Sequence, residues 1–390
     1  MAKMLSHFLM SSSQRYSLNM PIWASRKGKQ KKTRKSFSFT MLLFLVDIIM
    51  VVALLLLAAA TIICCITPNI APERLGIFSV VVLGAPIIYI LQLIVLLYWA
   101  VRWKWSLACV TLIFVVISTL NIGGYYRMSF KQKAEGKYSS RNTIKVISYN
   151  IANSNTQSLI DTLALHTPTI LCLQEYNPGE EDLWKRLGSK YTTTANGKGD
   201  FSCEIFTNRR ILKQGLIDSL PRHNAIWADI LVDKDTIRVV NIHLQSTSIT
   251  AQDIKFVEAH QYMTDSARSS KIKVISDKLI ENNIYRSNQA RKVREFIYRS
   301  AQPKIIVCGD FNDVPLSFSY NAIAEPLNSA FVAAGSGYSH TFNGFFKLLQ
   351  IDHMLASDHF DILTYEVDYT MGESDHYPVI SRLKINRENK

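Results

Sequence analysis

The chain has 390 residues, 48% of them hydrophobic and 19% charged, and its formal net charge is +13. That length holds about two ordinary domains, and the composition excludes a disordered polyampholyte. So apolar a chain is expected to keep part of itself in lipid, and its basic total by itself suggests an anionic partner such as nucleic acid.

The distribution of charge along the chain alters that suggestion. Residues 1–40 carry nine cationic side chains, from Lys3 to Lys35, and no acid. Residues 41–125 add +1, and residues 126–390 add +3. The basicity is therefore mainly a tail. Directly after it comes an apolar run, Met41–Ile66, broken only by Asp47. A second runs from Ile77 to Ala100 and a third from Trp105 to Ile122. Each is near the ~20 residues that cross hydrocarbon, and none shows the single apolar stripe of a buried soluble helix. The first starts too far along the chain to be a signal peptide, whose apolar region is about 7–15 residues long. Asp47 sits close to the basic end, where it can reach the interface. The positive-inside bias places Arg26–Lys35 in the cytoplasm, the loop Thr67–Gly76 outside, and Arg102 and Lys104 inside. Three crossings leave the rest outside. The expectation is a multi-pass protein of the inner (cell) membrane with a periplasmic or extracytoplasmic C-terminal domain, the bilayer itself being its partner.

Residues 123–142 read as a linker, and residues 143–390 alternate strand and helix patterns. Strands are predicted at Thr143–Tyr149, Thr169–Gln174, Phe201–Thr207, Ile226–Val232, Ile237–His243, Lys304–Cys308, Ile351–Leu355 and Tyr365–Tyr369. Helices are predicted at Gln157–Leu165, Glu180–Leu187, Val274–Ile280 and Asn288–Ser300. The polar stretch Ile249–Arg286 reads as an elaborated loop, partly helical. Cys64, Cys65 and Cys109 fall in the spans. Cys172, Cys203 and Cys308 fall in strand-like runs and read as small buried hydrophobes. Their odd number permits no fully paired disulfide framework, and no zinc spacing is present.

Polar residues collect at the ends of these strands. The clusters are Ser148-Tyr149-Asn150, Leu173-Gln174-Glu175, Asn241-Ile242-His243, Gly309-Asp310-Phe311-Asn312, Ile351-Asp352-His353 and Ser374-Asp375-His376. Each alone has an ordinary explanation, such as a solvated loop acid or an Asx turn. A series of strand ends, however, delivers side chains to one rim, where sites are built. Together and in this order they resemble the endonuclease/exonuclease/phosphatase superfamily, with the closest likeness to deoxyribonucleases and sphingomyelinases. The resemblance covers residues from about 143 to 385. It implies a four-layer α/β/β/α sandwich, preceded here by the three transmembrane helices; periodicity alone gives only α/β or α+β.

The resemblance also implies roles. Glu175, with Asn150 and Asp375, would lie on a divalent metal, Mg²⁺ or alternatively Mn²⁺, which favours few carboxylates and several waters. Asp310 would orient or deprotonate the attacking water, and Asn312 would hold a phosphoryl oxygen. His243 and His376 would stabilise an oxyanion or supply a proton, with Asp352 paired to His376. Gln289 reads as structural support, His353 as a neighbour of the site, and Tyr338 and Thr341 as loop residues. The inositol-phosphatase signature is absent: Cys308 precedes Gly309-Asp310, where that signature has Trp. The implied activity is Mg²⁺-dependent hydrolysis of a phosphate ester, of nucleic acid or of a phospholipid headgroup. A domain charge of +3 argues against a grip dominated by duplex phosphates. The alternative is a catalytically inactive, membrane-tethered binding or sensor module of the same fold; the complete set of acid, base and amide positions favours the enzyme. No protein partner is deducible.

Overall fold

The structure, a computed structural model, describes residues 26–128, 142–154, 156–177, 192–193, 202–218, 220–221, 223–250, 252–253, 256 and 265–386. By its internal contacts the chain divides into Met1–Ala53 and Leu54–Lys390. Helix α1, Arg26–Ile66, begins in the first unit and ends in the second. The second apolar run is two helices, α2 (Pro72–Val81) and α3 (Ala85–Val101), joined by a 3-10 turn at Val82–Gly84. The break has a covalent cause: Pro86 has no N–H to give, and its ring would meet the carbonyl of Val82 in a continuous helix. Helix α4 spans Trp105–Asn121. Three helical stretches, Phe39–Asn69, Pro72–Val101 and Trp105–Gly124, are long and apolar enough to cross a membrane. Within the second unit, the buried Gln92 amide donates to Thr61 Oγ1 across two of these helices. Such a bond is the kind of polar glue that joins helices in a membrane, and the sequence alone does not show that Gln92 and Thr61 are paired.

Residues just beyond α4 are packed against the rest of the second unit. Tyr125 is fully buried, and strand β1 (Tyr126–Arg127) pairs with Gly337–Tyr338. The remainder builds strands β2 (Thr143–Asn150), β3 (Ile170–Tyr176), β4 (Thr192–Thr193), β5 (Ser202–Thr207), β6 (Arg210–Leu216), β7 (Ala225–Val232), β8 (Asp235–His243) and β9 (Ile305–Asp310). They are followed by β10 (Asn328–Ser329), β11 (Gly337–Tyr338), β12 (Asp352–Ala356), β13 (Phe360–Val367) and β14 (Val379–Ile385). Helix α5 (Gln157–Leu165) lies between β2 and β3, α6 (Asp265–Tyr298) before β9, and α7 (Phe318–Ala324) and α8 (Ala330–Ala334) after it.

Two six-stranded sheets result, in the orders β13-β14-β2-β3-β5-β4 and β10-β12-β9-β8-β7-β6. Alternating side chains of both sheets, among them Val146, Cys172, Val239 and Cys308, form the core between them. The outer face of the second sheet packs Val240, Val307 and Leu355 against Ala290, Val293 and Ile297 of α6 and Ile323 of α7. The outer face of the first packs Ile147 and Leu171 against Leu159, Ile160 and Leu163 of α5. This is the four-layer α/β/β/α arrangement. The three cysteines of the domain are buried.

Several sequence expectations shift. The predicted helix Glu180–Leu187 lies outside the described residues. Helix α5 matches its predicted bounds, capped by Thr156 Oγ1 accepting the Leu159 N–H. The strand predicted at Tyr365–Tyr369 is β13, Phe360–Val367, ending where Asp368 turns the chain by accepting the Thr370 N–H. Strands β6 and β14 went unpredicted, β6 because it is mostly exposed and β14 because Arg382 and Lys384 interrupt its apolar pattern. The helices predicted at Val274–Ile280 and Asn288–Ser300, and the polar residues between them, are one helix, α6. Its buried positions keep helical spacing, but between Ile275 and Ala290 they are Asn282, Asn283, Arg286 and Ser287. An apolar period cannot reveal a face that is buried and polar.

Candidate active site

The topology brings the clustered residues together. Strands β2 and β3 run parallel, with Asn150 opposite Gln174, so Asn150 and Glu175 leave the first sheet at one end. Strands β8 and β9 run parallel with His243 opposite Asp310, and antiparallel β12 sets Asp352 opposite Asp310 from the other side. Parallel pairing is what delivers residues distant in sequence to a common rim. The two ends are fastened across the sandwich. Gln174 Nε2 donates to Asn241 Oδ1 at 2.6 Å and to Ser148 Oγ at 3.2 Å. Asn241 Nδ2 donates to the carbonyls of Leu173 and Glu204, each at 2.8 Å. All three side chains are buried, so these bonds fix one relative position of the sheets.

At the rim, Asn150 Nδ2 donates to Glu175 Oε1 at 3.2 Å and to Asp310 Oδ2 at 3.0 Å, while its oxygen accepts the Ala152 N–H. Asp310 also accepts the Asn312 backbone N–H at 2.7 Å and the Asn312 amide at 3.2 Å. The Asn312 amide further donates to Leu244 O at 3.0 Å, so it is turned toward Asp310 and the β8 end. Two imidazoles flank the same carboxylate oxygen: His243 Nε2 and His376 Nε2 each lie 3.8 Å from Asp310 Oδ2. His243 Nε2 is also 3.7 Å from Glu175 Oε1. Asp375 is exposed beside His376, and its carbonyl accepts the Asn343 N–H.

Backbone strain concentrates here. Glu175 (φ 52°) and Asn312 (φ 50°) take left-handed conformations. For a glutamate such a conformation costs of order 1–3 kcal/mol and persists only where surroundings enforce it. Gly309, with φ 142°, lets β9 approach β8: a Cβ there would fall 1.9 Å from Ile242 O. No other residue type fits before Asp310.

His376 Nδ1 lies 2.9 Å from Asp352 Oδ2, and both side chains are buried. Burial alone would push the imidazole down, but the Asp352 and Asp310 carboxylates hold its proton, up to about 10. Asp352 is pushed by burial up to about 6 against the opposing pull of His376. The pair is therefore imidazolium and carboxylate at neutral pH. Thr341 Oγ1 accepts the N–H groups of Ile351 and Asp352, both at 2.9 Å, and fixes where β12 begins. Thr341 is thus a positioning residue rather than loop filler. Gln289 supports the site: its Oε1 accepts the Gln245 N–H at 2.7 Å, holding the turn after His243. Sequence reasoning missed Arg286, which is buried against Asp313 at 3.2 Å and donates to Gln245 O at 2.7 Å. It thereby ties the turns following His243 and Asp310 to α6. His353 points away from the rim; its ring nitrogen donates to Asp313 O at 2.9 Å, and burial pushes it down to about 4.

Asp310, Asp352 and His376 have ligand atoms within 4.8 Å of one another. Nδ1 of His376 is taken up by Asp352, so only Nε2 of that ring is turned toward Asp310. Hard oxygens are at hand: Glu175 aims its carboxylate into the site while 37% exposed, and Asp352 Oδ1 is buried without a hydrogen-bond partner among the described residues. This donor chemistry fits a divalent, oxygen-seeking cation.

Residues 147–376, from β2 to His376, match the family model described as Endonuclease/Exonuclease/phosphatase family. Residues 43–125 match a second model, a domain of unknown function (DUF8431). Comparison with the curated proteins returns no match. Among solved structures, the chain is similar to D. rerio TDP2 humanized by 14 mutations, at 16% identity over 62% of this chain and 99% of that one, TM-score 0.45. It is similar to the human Nocturnin catalytic domain with bound sulfate, at 19% identity over 63% and 96%, TM-score 0.45. It is also similar to an endonuclease/exonuclease/phosphatase family protein from Bacteroides thetaiotaomicron, at 17% identity over 63% and 98%, TM-score 0.44.

Proposed function

The chain belongs to the endonuclease/exonuclease/phosphatase family, and on that footing we propose that it is a membrane-anchored, divalent-metal-dependent hydrolase of phosphate esters. The observation that carries the reading is the convergence on Asp310: one buried carboxylate oriented by two asparagines and flanked by two imidazoles at 3.8 Å. Catalysis of phosphoryl transfer is mostly positioning and charge stabilisation, and this arrangement supplies both.

In this reading Glu175, Asn150 and Asp375 would hold Mg²⁺, or Mn²⁺ in its place. The ion supplies Lewis-acid stabilisation of the phosphoryl oxygens and lowers the pKa of bound water. Asp310 orients the attacking water and accepts its proton. Asn312 keeps Asp310 turned to the water; to touch a phosphoryl oxygen its amide would have to leave Leu244 O. His376, held by Asp352, presents positive charge to the oxygens that gain charge, His243 turns a ring nitrogen to the same oxygens, and a proton for the leaving oxygen comes from this side. The three candidate spans cross the inner membrane with the basic tail in the cytoplasm and the catalytic domain outside.

The test uses the full chain in detergent or nanodiscs with bis(p-nitrophenyl) phosphate, Mg²⁺ or Mn²⁺. Turnover should stop on chelation and return with metal. Glu175→Gln should raise the metal concentration needed for half-maximal rate by at least about tenfold. Turnover indifferent to chelator would overturn the metal role.

A further inference from the structure

The catalytic domain does not hang from its anchor on a free tether; it is packed on it, and on the face that bears the active site. Cys64 at the end of α1, Val82, Ala85 and Tyr125 form one buried cluster with Val314 and Ile351 of the domain. Gly124 lies so close to Pro315 that a Cβ there would come within 2.6 Å of the ring. Asn321 Nδ2 donates to Pro68 O at 3.1 Å. A second contact lies on α6, where Glu73 accepts from Arg291 at 2.6 and 3.1 Å and from Ser287 at 3.1 Å. The loop between the first two spans and the end of the third thus both meet the domain.

The domain residues in these contacts are neighbours of the catalytic ones. Val314 follows Asn312 by two positions, and Ile351 directly precedes Asp352. Phe342, which packs on the same cluster, lays its ring edge-on to the His376 imidazole with centroids 5.2 Å apart. Next to it Thr341 holds the start of β12. One layer of side chains therefore separates the Asp352–His376 pair from Cys64 near the end of the first span, from the Val82–Ala85 break of the second and from Tyr125 just past the third. The polar layer of a bilayer face is about 5–8 Å thick, comparable with that one layer of side chains. Beside it Phe346 is 57% exposed and followed by an exposed Lys347, a pairing suited to an interface.

From this geometry we infer that the substrate is a phosphodiester of a lipid in the bilayer that the chain itself spans, hydrolysed in place. The inference rests on the hydrolase reading above and adds the substrate class. Water adds to phosphorus, the bond from phosphorus to one ester oxygen breaks, and that oxygen takes up a proton. A diester R–O–PO₂⁻–O–R′ becomes an alcohol and a monoester, with no further reactant. Confinement to the same surface raises the local concentration of such a substrate without any added contact.

The experiment reconstitutes the full chain in liposomes of phosphatidylethanolamine and phosphatidylglycerol with Mg²⁺ or Mn²⁺. Lipid products are followed alongside plasmid DNA, RNA and bis(p-nitrophenyl) phosphate. Hydrolysis of the host lipids, with DNA and RNA left intact, is expected. The variant Glu73→Arg, which sets two cations together on the docking face, should lower lipid hydrolysis by about tenfold or more while the soluble diester is cleaved within about twofold of the parent rate. Combining it with Arg291→Glu should restore lipid hydrolysis, which also separates docking from a folding defect. Cleavage of DNA or RNA with the lipids untouched would overturn the inference and leave the hydrolase reading standing. Lipid hydrolysis unaffected by Glu73→Arg would remove its geometric basis. No turnover of any substrate, the soluble diester included, would overturn the hydrolase reading itself and this one with it.

Discussion

At the scale of single residues, the site is a set of carboxylates kept apart by what surrounds them. Asp310 is oriented by asparagine amides, whereas Asp352 is spent on His376. Removing either member of that pair leaves the other buried and alone, which is costly in a low-dielectric setting. We expect His376→Ala to lower turnover at least about 100-fold, and Asp352→Asn to lower it about 10- to 100-fold, by steady-state hydrolysis of a soluble diester. An unchanged rate for His376→Ala would defeat the assignment. His353 carries a different kind of dependence. Its folded-state pKa is about 4 because burial disfavours its charge, against about 6.5 when unfolded. The unfolded chain therefore binds the extra proton first. Stability from this group is fully present above pH about 6.5 and is lost as the pH falls toward 4, by up to about 3 kcal/mol. Thermal melts of the full chain in detergent from pH 7 to 4 should steepen in their decline relative to His353→Gln, which keeps a donor for Asp313 O but cannot titrate.

Among the elements, α6 has the widest reach. Over Asp265–Tyr298 it meets the outer sheet face through Ala290, Val293 and Ile297, holds the turn after β8 through Gln289, and meets Glu73 through Arg291. Its Arg286 is paired with Asp313, both almost fully buried. Burial pushes the Asp313 carboxyl up and the guanidinium opposes it. Removing one partner of a buried pair costs about 3–5 kcal/mol, while replacing both by apolar residues of similar volume is often neutral. Arg286→Ala should therefore lower the melting temperature sharply, and Arg286→Met with Asp313→Leu should recover most of it. The same helix explains a failure of sequence reading: polar residues on its buried face hid that the helices predicted at Val274–Ile280 and from Asn288 are continuous.

For the whole molecule, the expected orientation is tested by fusing after Lys390 a reporter that fluoresces only in the cytoplasm; it should stay dark. The spans were legible because hydrocarbon imposes length and composition on any chain that crosses it, and these are local properties of sequence. The rim residues Asn150, Glu175, His243, Asp310 and Asp352 were legible as polar groups ending apolar strands, and the family resemblance joined them. Their common location at one rim was not, because it depends on β2–β3 and β8–β9 running parallel, a pairing between distant segments. Nor were the sheet-to-sheet bonds of Gln174 and Asn241, the joining of the helices at Val274–Ile280 and from Asn288 into one, or Thr341 beneath Asp352. Least visible of all was the docking of Pro68, Glu73 and Tyr125 on the C-terminal domain. Composition and periodicity report what each segment needs from its solvent. Which segment meets that need is decided only when the chain has folded, because buried polar groups choose partners by position rather than by pattern.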